Sequence, residues 1–171
     1  AQPEARFECR HRHRVEGLHP GAALKGKGIS DEDARNYAIV GCVELTTMGN
    51  NLGWSDAAMF NLVKALELAL NDGVCTLTGK QMGAHTGTLK DFETYEDVLN
   101  ALETQVNFFF ERMIRCCEVV ERAHAELLPS PFLSCVIDDC LERGIDVTAG
   151  GAHYNLSGIQ AIQCANVADS L

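Results

Sequence analysis

The stretch Asn36-Tyr-Ala-Ile-Val-Gly-Cys-Val-Glu44 decides how the rest of the chain is read. Tyr37 to Val40 is β-branched and aromatic and reads as a short buried strand, stopped by Gly41. Cys42 follows the stop, and Glu44 lies two residues further on. Leu45 to Gly53 reads as a loop, and Trp54-Ser55-Asp56 as the start of a patterned helix. A thiol and a carboxylate at the exit of a buried strand, held by a glycine-bounded loop, make a place to do chemistry. The spacing alone does not say which chemistry.

Outward from that stretch the chain alternates between α and β signals. Ser30 is placed to cap a short helix over Asp31-Glu-Asp-Ala-Arg35, with acidic residues in the first turn. After Ser55 as cap and Asp56 in the first turn, Met59, Phe60, Val63, Leu66 and Leu70 recur at helical spacing, and Asn71-Asp-Gly73 ends the helix. Val74 to Leu77 is a strand candidate, and the Gly- and Thr-rich run from Thr78 to Lys90 a loop. Thr94 with Asp97 opens a long helix to about Leu127, with an apolar stripe at Val98, Leu102, Val106, Phe109, Met113, Cys117 and Val120. Phe132 to Arg143 reads as a shorter helix, Ile145 to Thr148 as a strand, and Gly150-Gly151 as a turn into Ala152-His-Tyr-Asn155. His85 and His153 read as surface or satisfied histidines.

With 171 residues, 46% of them hydrophobic, the chain is long enough to bury a core as one domain or as a piece of a larger one. A net charge of −10 disfavours nucleic acid and anionic membrane surfaces as partners. That charge is uneven. Residues 1–28 hold six basic and three acidic side chains, so they read as a solvated basic arm foreign to the rest. Within the arm, Cys9, His11 and His13 are metal-ligand types but lack a second pair at zinc-finger spacing. The eight cysteines lie mostly in apolar segments and do not read as a disulfide framework. A reducing cytoplasm suits them. No apolar run approaches a membrane span.

Six segments in order resemble the glycyl radical enzymes, the pyruvate formate-lyase superfamily. They are Asp31–Arg35, Gly41-Cys-Val-Glu44, Gly53-Trp-Ser-Asp-Ala-Ala58, Pro131-Phe-Leu-Ser134, Gly150-Gly-Ala-His-Tyr-Asn155 and Ala165-Asn-Val-Ala-Asp-Ser-Leu171. The resemblance covers about Gly28 to Leu171 and leaves residues 1–28 poorly matched. It implies an α/β fold in which residues 29–171 form the central part of a ten-stranded α/β barrel surrounded by helices. The cysteine would lie on a loop inside that barrel. The family's Arg-Val-x-Gly-Tyr-like glycyl loop does not occur in these 171 residues, so the resemblance implies a fragment of a longer enzyme, inactive alone.

Gly-Cys-Val-Glu, with Trp-Ser-Asp-Ala-Ala downstream, looks like the dehydratase branch, which includes the B12-independent glycerol and 1,2-propanediol dehydratases. Val43 after Cys42 argues against pyruvate formate-lyase itself, which has two adjacent cysteines there. Formate acetyltransferase, eliminating enzymes of choline, 4-hydroxyproline or isethionate, and an inert truncated homologue remain alternatives. Leu45, often Pro in relatives, and Gln163, where Gly is common, are departures that bear on the substrate. In the implied chemistry Cys42 becomes a thiyl that abstracts hydrogen. Glu44 takes the hydroxyl proton, and Asp56 binds or protonates the departing hydroxyl. The resemblance implies no cofactor bound by this chain. An organic glycyl radical outside it would be installed by a radical S-adenosylmethionine activating enzyme carrying an iron–sulfur cluster. The implied partners are that enzyme and a small-molecule substrate, with a homodimer for the full-length protein. The expected location is the cytoplasm, where such enzymes are sometimes packed in bacterial microcompartments.

Overall fold

The computed structural model describes residues 24–41, 44–52 and 54–171. Most of the basic segment 1–28, and Cys42 itself, fall outside the described residues. The described architecture is mixed α/β. A helix α1 (Asp31–Arg35) leads into a hairpin of β1 (Tyr37–Val40) and β2 (Glu44–Thr47). Strand β3 (Trp54–Asn61) runs directly into helix α2 (Leu62–Ala69). The long helix α3 (Tyr95–Leu127) is followed by two single turns, α4 (Pro131–Ser134) and α5 (Cys140–Arg143). Strand β4 (Ser157–Ile162) and helix α6 (Cys164–Ser170) close the order. The hairpin is antiparallel, whereas β3 and β4 pair in parallel across about a hundred residues of intervening chain.

Local chemistry accounts for the helix starts. Ser30 Oγ accepts from Asp33 N at 3.1 Å, as the sequence predicts. Thr94 and Asp97 form a reciprocal capping box, Thr94 Oγ1 accepting from Asp97 N at 3.3 Å and Asp97 Oδ2 from Thr94 N at 2.8 Å. The stripe from Val98 to Cys117 is half-buried, while Val120 is exposed. Helices α2 and α3 pack on each other. Ala65, Leu66, Leu68 and Ala69 are buried on α2, and Ala101 and Gln105 on α3. Gln105 is satisfied there: its amide bonds both Ala84 N and Ala84 O, at 3.0 and 2.7 Å. A second cluster joins Leu24, Ile29 and Ala34 to Tyr37, Leu45, Tyr154 and Leu156, and a third joins Cys140, Val147 and Ala152.

Six expectations are corrected. The strand at Tyr37–Val40 is present, but Ile39 and Val40 are each 46% exposed, because β2 is its one partner among the described residues. Leu45 to Thr47 is strand rather than loop. The helix does not start at Ser55. Residues 54–61 are β3, paired with β4, and the cap is Asn61, whose Oδ1 accepts from Lys64 N at 2.9 Å. Met59 is exposed and Phe60 buried, the period of a strand, so the apparent helical stripe merges a strand with the helix after it. The helix sought over 132–143 splits in two. Asp139 adopts a left-handed φ of 72° and Asp138 N donates to Gly49 O at 2.8 Å, which removes both from a helical ladder. Neither Val74–Leu77 nor Ile145–Thr148 is a strand. Val74 makes one isolated bridge to Gln81, and Val147–Ala149 is a 3-10 turn capped by Asp146.

Candidate active site

Strand pairing brings β1 and β2 together with Val40 opposite Glu44, so Gly41 to Val43 connect them. Cys42 belongs to that connection, and its placement lies outside the described residues. Gly41 has a φ of 62°, the left-handed region that favours glycine. A Cβ on Gly41 would sit 2.7 Å from Glu44 Oε2. The Glu44 carboxylate is therefore folded back over Gly41, in space that a side chain there would fill. Glu44 is half-buried, and its Oε1 accepts a hydrogen bond from Gln160 Nε2, 116 residues away on β4.

Asp56 is exposed, and it does not open a helix. It lies in a bulge of β3: Trp54 pairs with Ser157 and Ala58 with Ile159, so residues 55–57 oppose the single Gly158. Extra residues in one strand bend it and re-aim side chains, which is why bulges recur beside active sites. The tertiary structure thus joins Glu44 to Gln160 and sets Asp56 on the strand paired with that of Gln160. Gln160 was missed in the sequence. Its one signal is a polar residue inside the otherwise apolar run Ile159-Gln-Ala-Ile162.

The segment after β2 is held by a polar lattice. Asp33 Oδ1 accepts from Asn50 Nδ2 at 3.0 Å, and Asn50 Oδ1 accepts from Thr47 Oγ1 at 2.5 Å. Tyr154 Oη donates to Asp33 Oδ2 at 2.8 Å, and Tyr154 N donates to Asn50 O at 2.9 Å. Hydrogen bonds from the Ser30 hydroxyl first, then Tyr154, hold the Asp33 carboxyl below its usual range. Tyr154 is a structural clamp. His85 and His153 are satisfied by Asp72 and Asp139, at 2.8 and 2.7 Å. Among the described residues no group of His, Cys, Asp or Glu is arranged to hold a metal ion, and no helix is long and apolar enough to cross a membrane.

Comparison with known proteins agrees with this architecture. The model of the pyruvate formate lyase-like family matches residues 18–171, and the chain belongs to that family. It is 40% identical over 152 residues to a (2S)-3-sulfopropanediol dehydratase of Klebsiella oxytoca, covering 87% of this chain and 18% of that protein. A solved glycyl radical enzyme from Archaeoglobus fulgidus is 44% identical, with a TM-score of 0.82 over 88% of this chain and 19% of its own. The glycerol-bound B12-independent glycerol dehydratase of Clostridium butyricum is 38% identical, with the same TM-score and coverage. The relatives are dehydratases and lyases of the glycyl radical class. This chain spans less than a fifth of the length of each of these three relatives.

Proposed function

We propose that the full-length protein is a glycyl radical dehydratase that eliminates water from a small 1,2-diol such as glycerol or propane-1,2-diol, and that residues 29–171 are the central part of its ten-stranded barrel. The observation that carries this reading is the Glu44 carboxylate, half-buried and folded over Gly41 at the turn that holds Cys42. A thiol and a carboxylate two residues apart suit the hydrogen atom taken from a hydroxyl-bearing carbon and the proton taken from its hydroxyl. The likeness to a sulfopropanediol dehydratase and a glycerol dehydratase supports the substrate class.

The one-electron oxidising power is supplied by a radical on a glycine outside these residues, installed by a radical S-adenosylmethionine enzyme. The chain's own groups divide the rest. Cys42 sulfur takes a hydrogen atom from the first hydroxyl-bearing carbon and returns one at the end. Glu44 accepts the proton of that hydroxyl. General-base work needs a carboxylate within hydrogen-bond reach of the proton it takes. Asp56, on the β3 bulge, binds the hydroxyl on the neighbouring carbon, which departs as water with the proton Glu44 took up, so that aldehyde and water are the products and Glu44 is left ionised again. Val43 after Cys42 favours elimination over acyl transfer. The protein acts as a homodimer in the cytoplasm.

The test is anaerobic turnover of the full-length, activated protein with propane-1,2-diol, glycerol and 3-sulfopropanediol, scored by aldehyde formation. Cys42→Ala and Glu44→Gln should each abolish the product of the accepted diol. Undiminished turnover by Cys42→Ala would overturn the reading.

A further inference from the structure

The Gln160–Glu44 hydrogen bond has properties that a simple packing contact lacks. Glu44 opens β2, and Gln160 lies in β4 opposite Met59 of β3, so three strands must be in register before the two meet. Both side chains are half-buried. The bond ties one carboxylate oxygen, Oε1. The other, Oε2, lies against Gly41.

The chemistry of the amide suits a base that must change its protonation state. An ionised carboxylate can only accept hydrogen bonds, so the amide must present Nε2–H to it. When Oε2 takes up a proton, Oε1 becomes the carbonyl oxygen of the acid and still accepts from Nε2–H. The tether therefore persists in both states. A lysine or arginine in the same place would pair with the ionised form, oppose its protonation and so weaken it as a base. A neutral amide fixes direction without discharging the carboxylate.

We propose that Gln160 is a positioning residue for Glu44: by holding Oε1 it fixes the orientation of the carboxylate towards the substrate hydroxyl. This rests on Glu44 acting as the base. Because misdirection of a reacting group by about 1 Å can cost about 100-fold in rate, loss of the tether should be read in kcat.

The experiment uses the full-length protein, activated anaerobically, with the diol it turns over. Gln160→Met keeps length and volume but removes the donor. It should lower kcat by roughly 10- to 100-fold while KM stays within about 2-fold and the glycyl radical signal per subunit is unchanged. Gln160→His, which restores an N–H of similar reach, should recover part of the loss. A wild-type kcat in Gln160→Met overturns the proposal. So does a loss of kcat matched by an equal loss of radical signal, or by no recovery in Gln160→His, because a structural role would produce either. Glu44→Gln separates the two levels: if it keeps wild-type kcat, the base reading itself has failed. If Glu44→Gln is dead and Gln160→Met is wild type, only the positioning role is lost.

Discussion

Tyr154 and Asp33, 121 residues apart, are joined by a 2.8 Å hydrogen bond from the phenol to the carboxylate. The same phenol oxygen accepts from Ser30 N at 3.1 Å. Together with Tyr154 N, which donates to Asn50 O, this ties the cap of α1 to the segment that follows β2. Tyr154→Phe keeps the ring and removes both bonds. It should lower the melting temperature by roughly 2–4 °C, measured by calorimetry, with the secondary structure seen by circular dichroism unchanged.

Asp146 organises the turn between α4 and the 3-10 turn at Val147. Its carboxylate accepts from Ser130 N, Ser134 Oγ, Thr148 N and Thr148 Oγ1, at 2.7 to 3.1 Å. Burial alone would push its pKa up, but these donors, Thr148 foremost, outweigh it and bring the value down from 3.8 to about 2. The folded pKa lies below the unfolded one, so the stabilisation is present above pH 3.8 and lost as pH falls towards 2. Asp146→Asn sets an amide N–H2 against donors and should cost about 2 kcal/mol at neutral pH. Urea titrations at pH 7 and pH 3 should show the gap between variant and wild type narrowing at the lower pH.

Gly151 is required by close approach. A Cβ there would lie 2.0 Å from Ile145 O and 2.9 Å from Asp146 O, backbone atoms that cannot swing aside. Gly151→Ala should destabilise by roughly 1–3 kcal/mol, read as a lower urea midpoint. Because the same carbonyls belong to the Asp146 turn, the loss should be less than additive with Asp146→Asn.

Gln163 sits between β4 and α6 with a φ of 68°, where a side chain is strained and glycine is at ease. Gln163→Gly should stabilise the protein by about 0.5–1 kcal/mol. A melting temperature equal to or below that of wild type would contradict this.

The helix caps at Ser30 and Thr94, the long helix to Leu127, the strand at Tyr37 and the family motifs around Cys42 and Gly150 were all legible in the sequence. Each depends on residues within a few positions of one another, where hydrogen-bond reach and periodicity are set by local geometry. Glu44 and Cys42 could be singled out as neighbouring reactive groups from their spacing, whereas their roles came only with the family resemblance. The family itself was legible too, because its motifs survive as short ordered runs.

Other features required the tertiary structure. Residues 54–61 carry a pattern compatible with a helix and become a strand because β4 supplies parallel hydrogen-bond partners from about a hundred residues away. That pairing carries Asp56 out of a helix start and into a bulge. It also decides that Gln160, an unremarkable residue in an apolar run, meets Glu44. The sequence by itself determined which residues cap, punctuate and carry reactive groups. Only the tertiary structure decided which of them face one another, since contacts between distant strands are set by global register and not by any local propensity.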